Sequence, residues 1–232
     1  MDLPSHTYRC LCGEGMHVEP FEAGRLARCP RCKQFVVVPR RRGDVAKAPV
    51  FDLSTPRLEI GLATRRHWRE IHAIDSDPRN YEFEISSPSS ERETKRAIKS
   101  SAFPSGFAKS NELRFRVGTK DDGRTVGTIS ASFAIPYYSV YIGLMIGKDD
   151  QGKGFGTESL SAVCDLLHDG LKVERIAAMC DAENLRCQSL LKKVGFKQEG
   201  YSEKFFHHPD RGWLDSPTYS SLRTAGPNSG QS

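Results

Sequence analysis

The sequence lacks any long apolar run. Its longest stretch without a charged or strongly polar side chain covers six of the 232 residues, 142–147, whereas a helix that crosses a bilayer needs roughly 20. Acidic Asp2 follows the first methionine, and no apolar run of about seven residues precedes Cys10, which argues against a secretory signal. These absences predict a chain with no membrane partner and a cytoplasmic location.

A disulfide framework is also missing. The seven cysteines are an odd number in a chain without an export signal, so we expect reduced thiols. Hydrophobic residues make up 38% and charged residues 27% of the chain. Both values are near those of globular proteins, which excludes wholesale disorder and supplies enough apolar surface for a core.

The net charge of +5 is concentrated in the first fifty residues, which hold nine Lys and Arg against five Asp and Glu. Residues 41–50 show no apolar periodicity and are typical of a linker. We therefore predict four parts: a small basic unit over residues 1–40, this linker, an α/β domain over 51–225 and a disordered tail over 226–232.

Four of the cysteines form two short pairs in the basic unit, and they are Cys10, Cys12, Cys29 and Cys32. Four thiolates at this spacing suit a tetrahedral structural Zn²⁺, which would stabilise a segment with few large apolar residues. The alternative is four incidental buried thiols. The order of cysteines, glycines and valines from Tyr8 to Pro39 resembles small zinc ribbons. Nucleic acid could bind the basic side chains, but no aromatic residues alternate with them, and a solvated basic face is favoured.

The larger unit shows alternating and helical patterns in turn. Alternation predicts strands over 57–62, 112–117, 126–134 and 140–146, with a hairpin turn at 121–123. Helix-like spacing predicts helices over 64–75, 160–171 and 185–194, with a weaker signal over 91–99. Further strands are predicted over 176–180, 196–201 and 217–222. Strands mixed with helices place the domain in the α/β class.

A glycine-rich loop lies between an apolar strand and an amphipathic helix. It contains Gln151, Gly152, Lys153, Gly154, Phe155, Gly156 and Thr157. Successive backbone N–H groups at the start of a helix can hold a pyrophosphate. The loop matches neither the dinucleotide nor the P-loop motif, so an unliganded strand-to-helix turn is an equal alternative on this evidence alone.

The surroundings of the loop resemble the GNAT acyltransferase superfamily, and most closely the branch of ribosomal-protein N-terminal acetyltransferases. The resemblance rests on Ile142-Gly-Leu-Met-Ile-Gly, the loop itself, Asn184, Gly195-Phe196 and Gln198-Glu199-Gly200 in this order, within residues 55–223. It implies a GNAT fold of the α+β type, with a mixed, mostly antiparallel central sheet flanked by helices and preceded here by the zinc ribbon.

The resemblance also implies that acetyl-CoA is bound. Its pyrophosphate would lie on the backbone of the loop 151–157, and its pantetheine arm beside Leu144, Met145 and Ile146. Asn184 would contact the same arm, although Asn at this position is also a good N-cap for the helix that follows.

Two positions depart from the family pattern. Relatives often carry a glutamate base where this chain has Tyr141, and a serine where it has Cys187. Tyr201 is slightly preferred over Cys187 as the proton donor, and a core role for Cys187 is the alternative. His207 and His208 are weak candidates in an expected loop at the acceptor site.

These patterns predict an acetyl-CoA-dependent N-acetyltransferase. The acceptor would be a primary amine of a protein N-terminus, a lysine or a small molecule. The alternative is a non-catalytic adaptor that binds acyl-CoA and is tethered to protein or nucleic acid by its ribbon; the absent glutamate favours this reading.

Overall fold

A computed structural model describes residues 6–10, 12, 14–18, 26–29, 31, 35–37, 51–84, 86–101, 112–134, 139–208 and 210–224. The predicted linker at 41–50, the tail at 226–232 and Cys32 lie outside the described residues. In the N-terminal unit, β1 (His6–Arg9) pairs with β2 (Gly15–Val18), and β3 (Leu26–Arg28) pairs with β4 (Phe35–Val37). Both pairs are antiparallel hairpins, and each turn begins with a cysteine.

The second unit is built on one eight-stranded sheet. Its strands are β5 (Leu53–Ser54), β6 (Leu58–Leu62), β7 (Glu112–Thr119), β8 (Thr125–Ala134), β9 (Ser139–Ile146), β10 (Arg175–Met179), β11 (Lys197–His208) and β12 (Gly212–Leu222). They lie in the order β11, β12, β10, β9, β8, β7, β6, β5. Among the pairings of the described residues in this sheet, only the β9–β10 contact is parallel. The predicted mixed, mostly antiparallel sheet is confirmed.

In the part of the chain that the structure describes, four α-helices flank this sheet: α1 (Trp68–Asp75), α2 (Glu91–Ser101), α3 (Phe155–Asp165) and α4 (Leu185–Lys193). A 3₁₀ turn at Arg65–His67 leads into α1, and a π turn at Leu166–Gly170 extends α3. The predicted helix over 64–75 is thus confirmed as a 3₁₀ turn and a helix, with Thr64 at the cap.

The alternation of β7 determines which helix covers which face. Phe115 and Val117 are fully buried in the main core with Leu160 and Val163 of α3. Arg114 points the other way and donates to Asp75 of α1 at 2.7 Å. The two sets of helices therefore pack on opposite faces of the sheet.

The sheet splits between β9 and β10. Their parallel pairing covers only three residues of each strand and ends at Tyr141 and Ala177. Beyond that point β9 continues to Ile146 and pairs with β8 alone. Among the described residues, a gap therefore opens between the carboxyl ends of two neighbouring strands, and backbone groups of β9 face into it.

The last hairpin is longer than the sequence predicted. β11 runs to His208 rather than to residue 201, and β12 begins at Gly212 rather than at 217. His207 and His208 therefore lie on a strand, paired with Trp213 and Gly212, and the expected loop is wrong. Within the described part of the chain, no helix is long and apolar enough to span a membrane.

Candidate active site

The glycine loop turns directly into α3 through left-handed backbone. Gly152 and Gly154 have φ angles of +79° and +83°, a region that side-chain-bearing residues rarely adopt. The first N–H of α3 with a helical acceptor is that of Glu158, which donates to the Gly154 carbonyl at 3.1 Å. The N–H groups of Phe155, Gly156 and Thr157 begin the helix and are available to an anion.

Gly156 has a different role from the other two glycines. It is buried, and a Cβ there would lie 2.7 Å from Leu190 Cδ1 and 3.3 Å from Leu144 Cδ2. Its lack of a side chain lets α3 pack closely against β9 and α4. This packing brings the helix N-terminus to the carboxyl end of β9, beside the gap.

Arg57 holds the loop from the side. Its guanidinium donates to Glu158 Oε2 at 2.7 Å and to the Lys153 carbonyl at 2.9 Å, and it lies 4.8 Å from the centre of the Phe155 ring. Thr55 donates to Glu158 Oε1 at 2.6 Å. The turn between β5 and β6 is thereby tied to the first turn of α3.

Asp150 holds the loop from below. It is buried and accepts from Arg124 at 2.5 and 2.7 Å and from Lys153 Nζ at 2.9 Å. The hydrogen bond from Arg124 leads the causes that lower the pKa of Asp150 to about 2. Gln151 donates to the Ile146 carbonyl at 3.0 Å. The loop is fixed before any ligand binds.

The other residues predicted for CoA lie on β9 and at the start of α4. Leu144 and Ile146 face α3, since both approach Gly156. Met145 is opposite Thr128 of β8, on the face of α1. Asn184 caps α4, and its side chain accepts from the Cys187 N–H at 3.0 Å. An anion-binding helix end beside an unpaired strand edge fits a pyrophosphate and the amide-containing arm that follows it.

The segment 81–84 after α1 crosses the carboxyl ends of both strands that form the gap. Lys148, just after β9, lies 3.2 Å from Glu82 Oε2. Arg211, in the β11–β12 turn, donates to the Glu82 carbonyl at 3.2 Å and to Asp181, just after β10, at 2.5 Å. We call this place, bounded by segment 81–84, Lys148 and Asp181, the mouth of the gap.

Two thiols and the Glu84 carboxylate also lie at the mouth. A hydrogen bond from Cys180 lowers the pKa of Cys187, against burial and the charge of Glu84. The same hydrogen bond, burial and nearby charges that include Glu84 raise the pKa of Cys180. Burial also raises the pKa of Glu84. Cys187 is therefore the more acidic of the two thiols, and it lies in the first turn of α4.

The structure separates the two tyrosine candidates. Tyr141 is half-exposed on β9, at the last residue before the gap opens and on the face of Met145. Tyr201 lies on the edge strand β11, three strand spacings or about 14 Å from β9. Its hydroxyl donates to Asp215 at 2.8 Å, and this bond raises the pKa of Tyr201.

The N-terminal unit brings three of the four predicted metal ligands together. The sulfur atoms of Cys10, Cys12 and Cys29 all lie within 4.8 Å of one another, with Cys12 and Cys29 at 3.6 Å. Tetrahedral Zn–S bonds of about 2.3 Å place sulfurs about 3.8 Å apart. The three thiols fit such a site, and the fourth predicted ligand, Cys32, lies outside the described residues.

The chain belongs to the GNAT acetyltransferase family. The profile described as acetyltransferase (GNAT) domain matches residues 57–197, which include β6, the gap, the glycine loop and Asn184. The resemblance inferred from the loop and the strand before it is confirmed.

Individual proteins point the same way. A probable N-acetyltransferase of Bacillus subtilis, YjcK, is 35% identical over 41% of this chain and 54% of its own length. The [ribosomal protein uS5]-alanine N-acetyltransferase of Escherichia coli is 30% identical over 37% of this chain and 45% of its own. The chain thus spans about half the length of these curated relatives.

A solved structure confirms the fold. Spermidine N-acetyltransferase from Vibrio cholerae, in complex with CoA and spermine, superposes with a TM-score of 0.64 at 19% identity, over 73% of this chain and 97% of that one. At this identity the likeness establishes the fold alone.

Sequence reasoning missed the residues that fix the site. Glu158 is 103 positions from Thr55 and 101 from Arg57 along the chain, and Asp150 is 26 positions from Arg124. Only the acidic residue in the first turn of α3 carried a local signal, since such residues favour a helix N-terminus. Segment 81–84 carried none.

Proposed function

We propose that this protein is an acetyl-CoA-dependent N-acetyltransferase. The observation that carries the proposal is the coincidence of a pre-formed anion-binding loop with a strand edge freed by the splitting of β9 from β10. The loop holds the pyrophosphate of acetyl-CoA, and the free edge of β9 holds its arm. Backbone N–H groups of β9 then polarise the thioester carbonyl without any special side chain.

The acceptor amine approaches the thioester from the mouth. Its nitrogen attacks the carbonyl carbon, the C–S bond breaks, and the CoA thiolate needs a proton. Cys187, at the first turn of α4, is placed to give that proton more directly than Tyr201. The amine must be neutral to attack, which costs little for an N-terminal amine of pKa near 8 and much more for a lysine near 10.4.

The charges at the mouth favour an acceptor with a single positive charge. Asp181 and Glu183 are both bound by Arg211, and Glu82 is paired with Lys148. A polyamine carries several charges and needs several free carboxylates. We therefore propose a protein N-terminus as the acceptor, which agrees with the substrate named for the Escherichia coli relative.

Acetyl transfer to three acceptors tests the proposal. The full chain is incubated with acetyl-CoA and a peptide that begins with alanine, a lysine peptide blocked at its N-terminus, or spermidine; released thiol and product mass are measured. We expect the alanine peptide to react fastest. Spermidine as the best acceptor would contradict the proposed acceptor, and binding of CoA without transfer to any amine would favour the adaptor.

We also propose a structural Zn²⁺ in the N-terminal unit, held by Cys10, Cys12, Cys29 and Cys32. The compact set of three sulfurs supports this site. The buried cluster of the described residues in this unit supports it too, because it is small and consists of Cys10, Met16, Cys29 and Val36. Burial alone cannot stabilise so small a core, so the metal would contribute most of the folding free energy.

Elemental analysis of protein purified without chelator should find about one zinc per chain. Replacing Cys29 and Cys32 by serine should remove the metal and unfold the N-terminal unit, while the melting transition of the acetyltransferase domain stays. Cys164→Ser, in the core of that domain, is the control that keeps the metal. Metal-free wild-type protein with an intact N-terminal unit would contradict the zinc site.

A further inference from the structure

Glu84 differs from the other carboxylates at the mouth. Asp181 and Glu183 are bound by Arg211, and Glu82 by Lys148. Among the described residues, the half-buried Glu84 carboxylate has neither a hydrogen-bond partner nor an ion-pair partner. A desolvated carboxylate without a cation is unfavourable unless something else uses it.

The position of Glu84 is fixed by its neighbours on both sides of the gap. Glu82 and Phe83 contact Lys148 after β9 and Arg211 of the β11–β12 turn. The Glu84 N–H donates to the Tyr81 carbonyl at 3.1 Å. The segment is thereby held across the ends of β9 and β10, at the mouth of the gap.

We propose that Glu84 is the general base of the reaction and takes the proton from the ammonium group of the acceptor. The inference rests on the proposed acetyl transfer. It assigns to segment 81–84 the role that relatives often give to a glutamate at the position of Tyr141.

Protons balance in this scheme. The acceptor ammonium gives one proton to the Glu84 carboxylate, and the neutral nitrogen attacks the thioester carbonyl to form a tetrahedral intermediate. As this intermediate collapses, the C–S bond breaks and the CoA thiolate takes a proton from Cys187. Cys187 in turn takes the second proton that the nitrogen loses. Glu84 then releases its proton to solvent, so the net reaction yields amide, free CoA and one proton.

The environment of Glu84 makes its carboxylate a stronger base. Burial raises its pKa toward that of an N-terminal amine, which makes proton transfer less unfavourable. The titratable groups that face it are Tyr81 on its own segment, Cys180 after β10 and Cys187 on α4. None of the three can carry a positive charge that would pair with Glu84, and Asp181 beside them is compensated by Arg211.

Glu84→Gln tests the assignment in the full chain, with the alanine peptide as acceptor. We expect kcat to fall on the order of 100-fold, the typical effect of losing a general base. The melting shift caused by acetyl-CoA should stay. The variant should also melt at the same or a higher temperature at neutral pH. A carboxyl whose pKa is raised in the folded state favours folding at low pH, and this contribution is lost as pH rises through the raised pKa. Gln carries no charge at any pH and avoids this loss.

The pH profile separates a base from a structural residue. The wild-type rate should fall as pH falls through the pKa of Glu84, and Glu84→Gln should lack this limb. Glu91→Gln, which removes a carboxylate from an exposed pair with Lys95, should behave as wild type.

Three results would overturn the inference. The first is an unchanged kcat and an unchanged acid limb in Glu84→Gln, and the second is a loss of kcat together with a lost acetyl-CoA shift and a lower melting temperature. The third is a wild-type enzyme without an acid limb, which can be measured even if the variant does not fold. A wild-type chain that acetylates no amine would instead contradict the proposed function itself.

Discussion

The glycine loop and the mouth of the gap differ in how their charges are paired. At the loop, the side of the acetyl donor, the charges pair with one another within the protein. At the mouth, the side of the acceptor, the Glu84 carboxylate is unpaired among the described residues. Arg57 binds Glu158, while Arg124 and Lys153 bind Asp150. Glu84 has no such partner among the described residues. In the proposed function, N–H groups of the loop hold acetyl-CoA, so charges that only fix the loop backbone can compensate one another. A charge that binds a cationic substrate must instead stay uncompensated until the substrate arrives. The comparison predicts that donor-side changes weaken acetyl-CoA binding and that acceptor-side changes lower the rate.

The largest effect is expected for Gly154→Val. A side chain at φ +83° strains the backbone, and its Cβ would lie 3.2 Å from the Arg57 guanidinium that braces the loop. It would also block the approach of a phosphate to the N–H groups. We expect the melting shift caused by acetyl-CoA to disappear.

Gly212→Val is the matched control for backbone strain. Gly212 has a φ of +73°, with open space around it, and lies in the β11–β12 turn on the acceptor side. It should lower stability by a similar amount and keep the acetyl-CoA shift. Equal loss of CoA binding in both variants would break the comparison between the two sides.

Asp150→Asn should have an intermediate effect. It removes the charge that holds Arg124 and Lys153, so the fold should lose about 1–2 kcal/mol and acetyl-CoA should bind several-fold more weakly. Because the pKa of Asp150 is lowered to about 2, its stabilisation is complete above the ordinary value of 3.8 and is lost as pH falls toward 2. The variant should lack this pH dependence.

Asp149→Asn supplies the control at the neighbouring position. Asp149 is exposed and pairs with Arg79 at 3.0 Å on the surface, and such a pair contributes about 0–1 kcal/mol. Chemical denaturation at pH 7 and pH 3 compares the two variants. A larger loss in Asp149→Asn would contradict the bracing role of Asp150.

The smallest effects are expected for the tyrosines. Tyr141→Phe should cost little, since no base is assigned to it, and Tyr201→Phe should lower the rate less than Cys187→Ala does. Tyr201 is three strands from β9 and donates to Asp215, whereas Cys187 lies at the mouth. Single-turnover rates with the alanine peptide measure this order. A larger loss for Tyr201→Phe would make Tyr201 the proton donor after all.

Local patterns carried much of the fold. The alternation in β7, the turn at 121–123 and the apolar stripe of α3 all depend on neighbours within a few residues, and each is confirmed. The hairpin β11–β12 was underestimated because its outer half is largely exposed and lacks an apolar period. Its extension changed the setting of His207 and His208 from a loop to a strand.

The sequence by itself determined the class of the protein, because the glycines and Asn184 act through local backbone geometry: left-handed turns, a close helix contact and an N-cap. Only the tertiary structure decided how the site is held and where its free charge lies. Arg57 meets Glu158 across 101 positions, and Glu84 meets the mouth because α1, β9, β10 and the last hairpin converge there. Pairing of charges depends on distance in space, and one sequence records only distance along the chain.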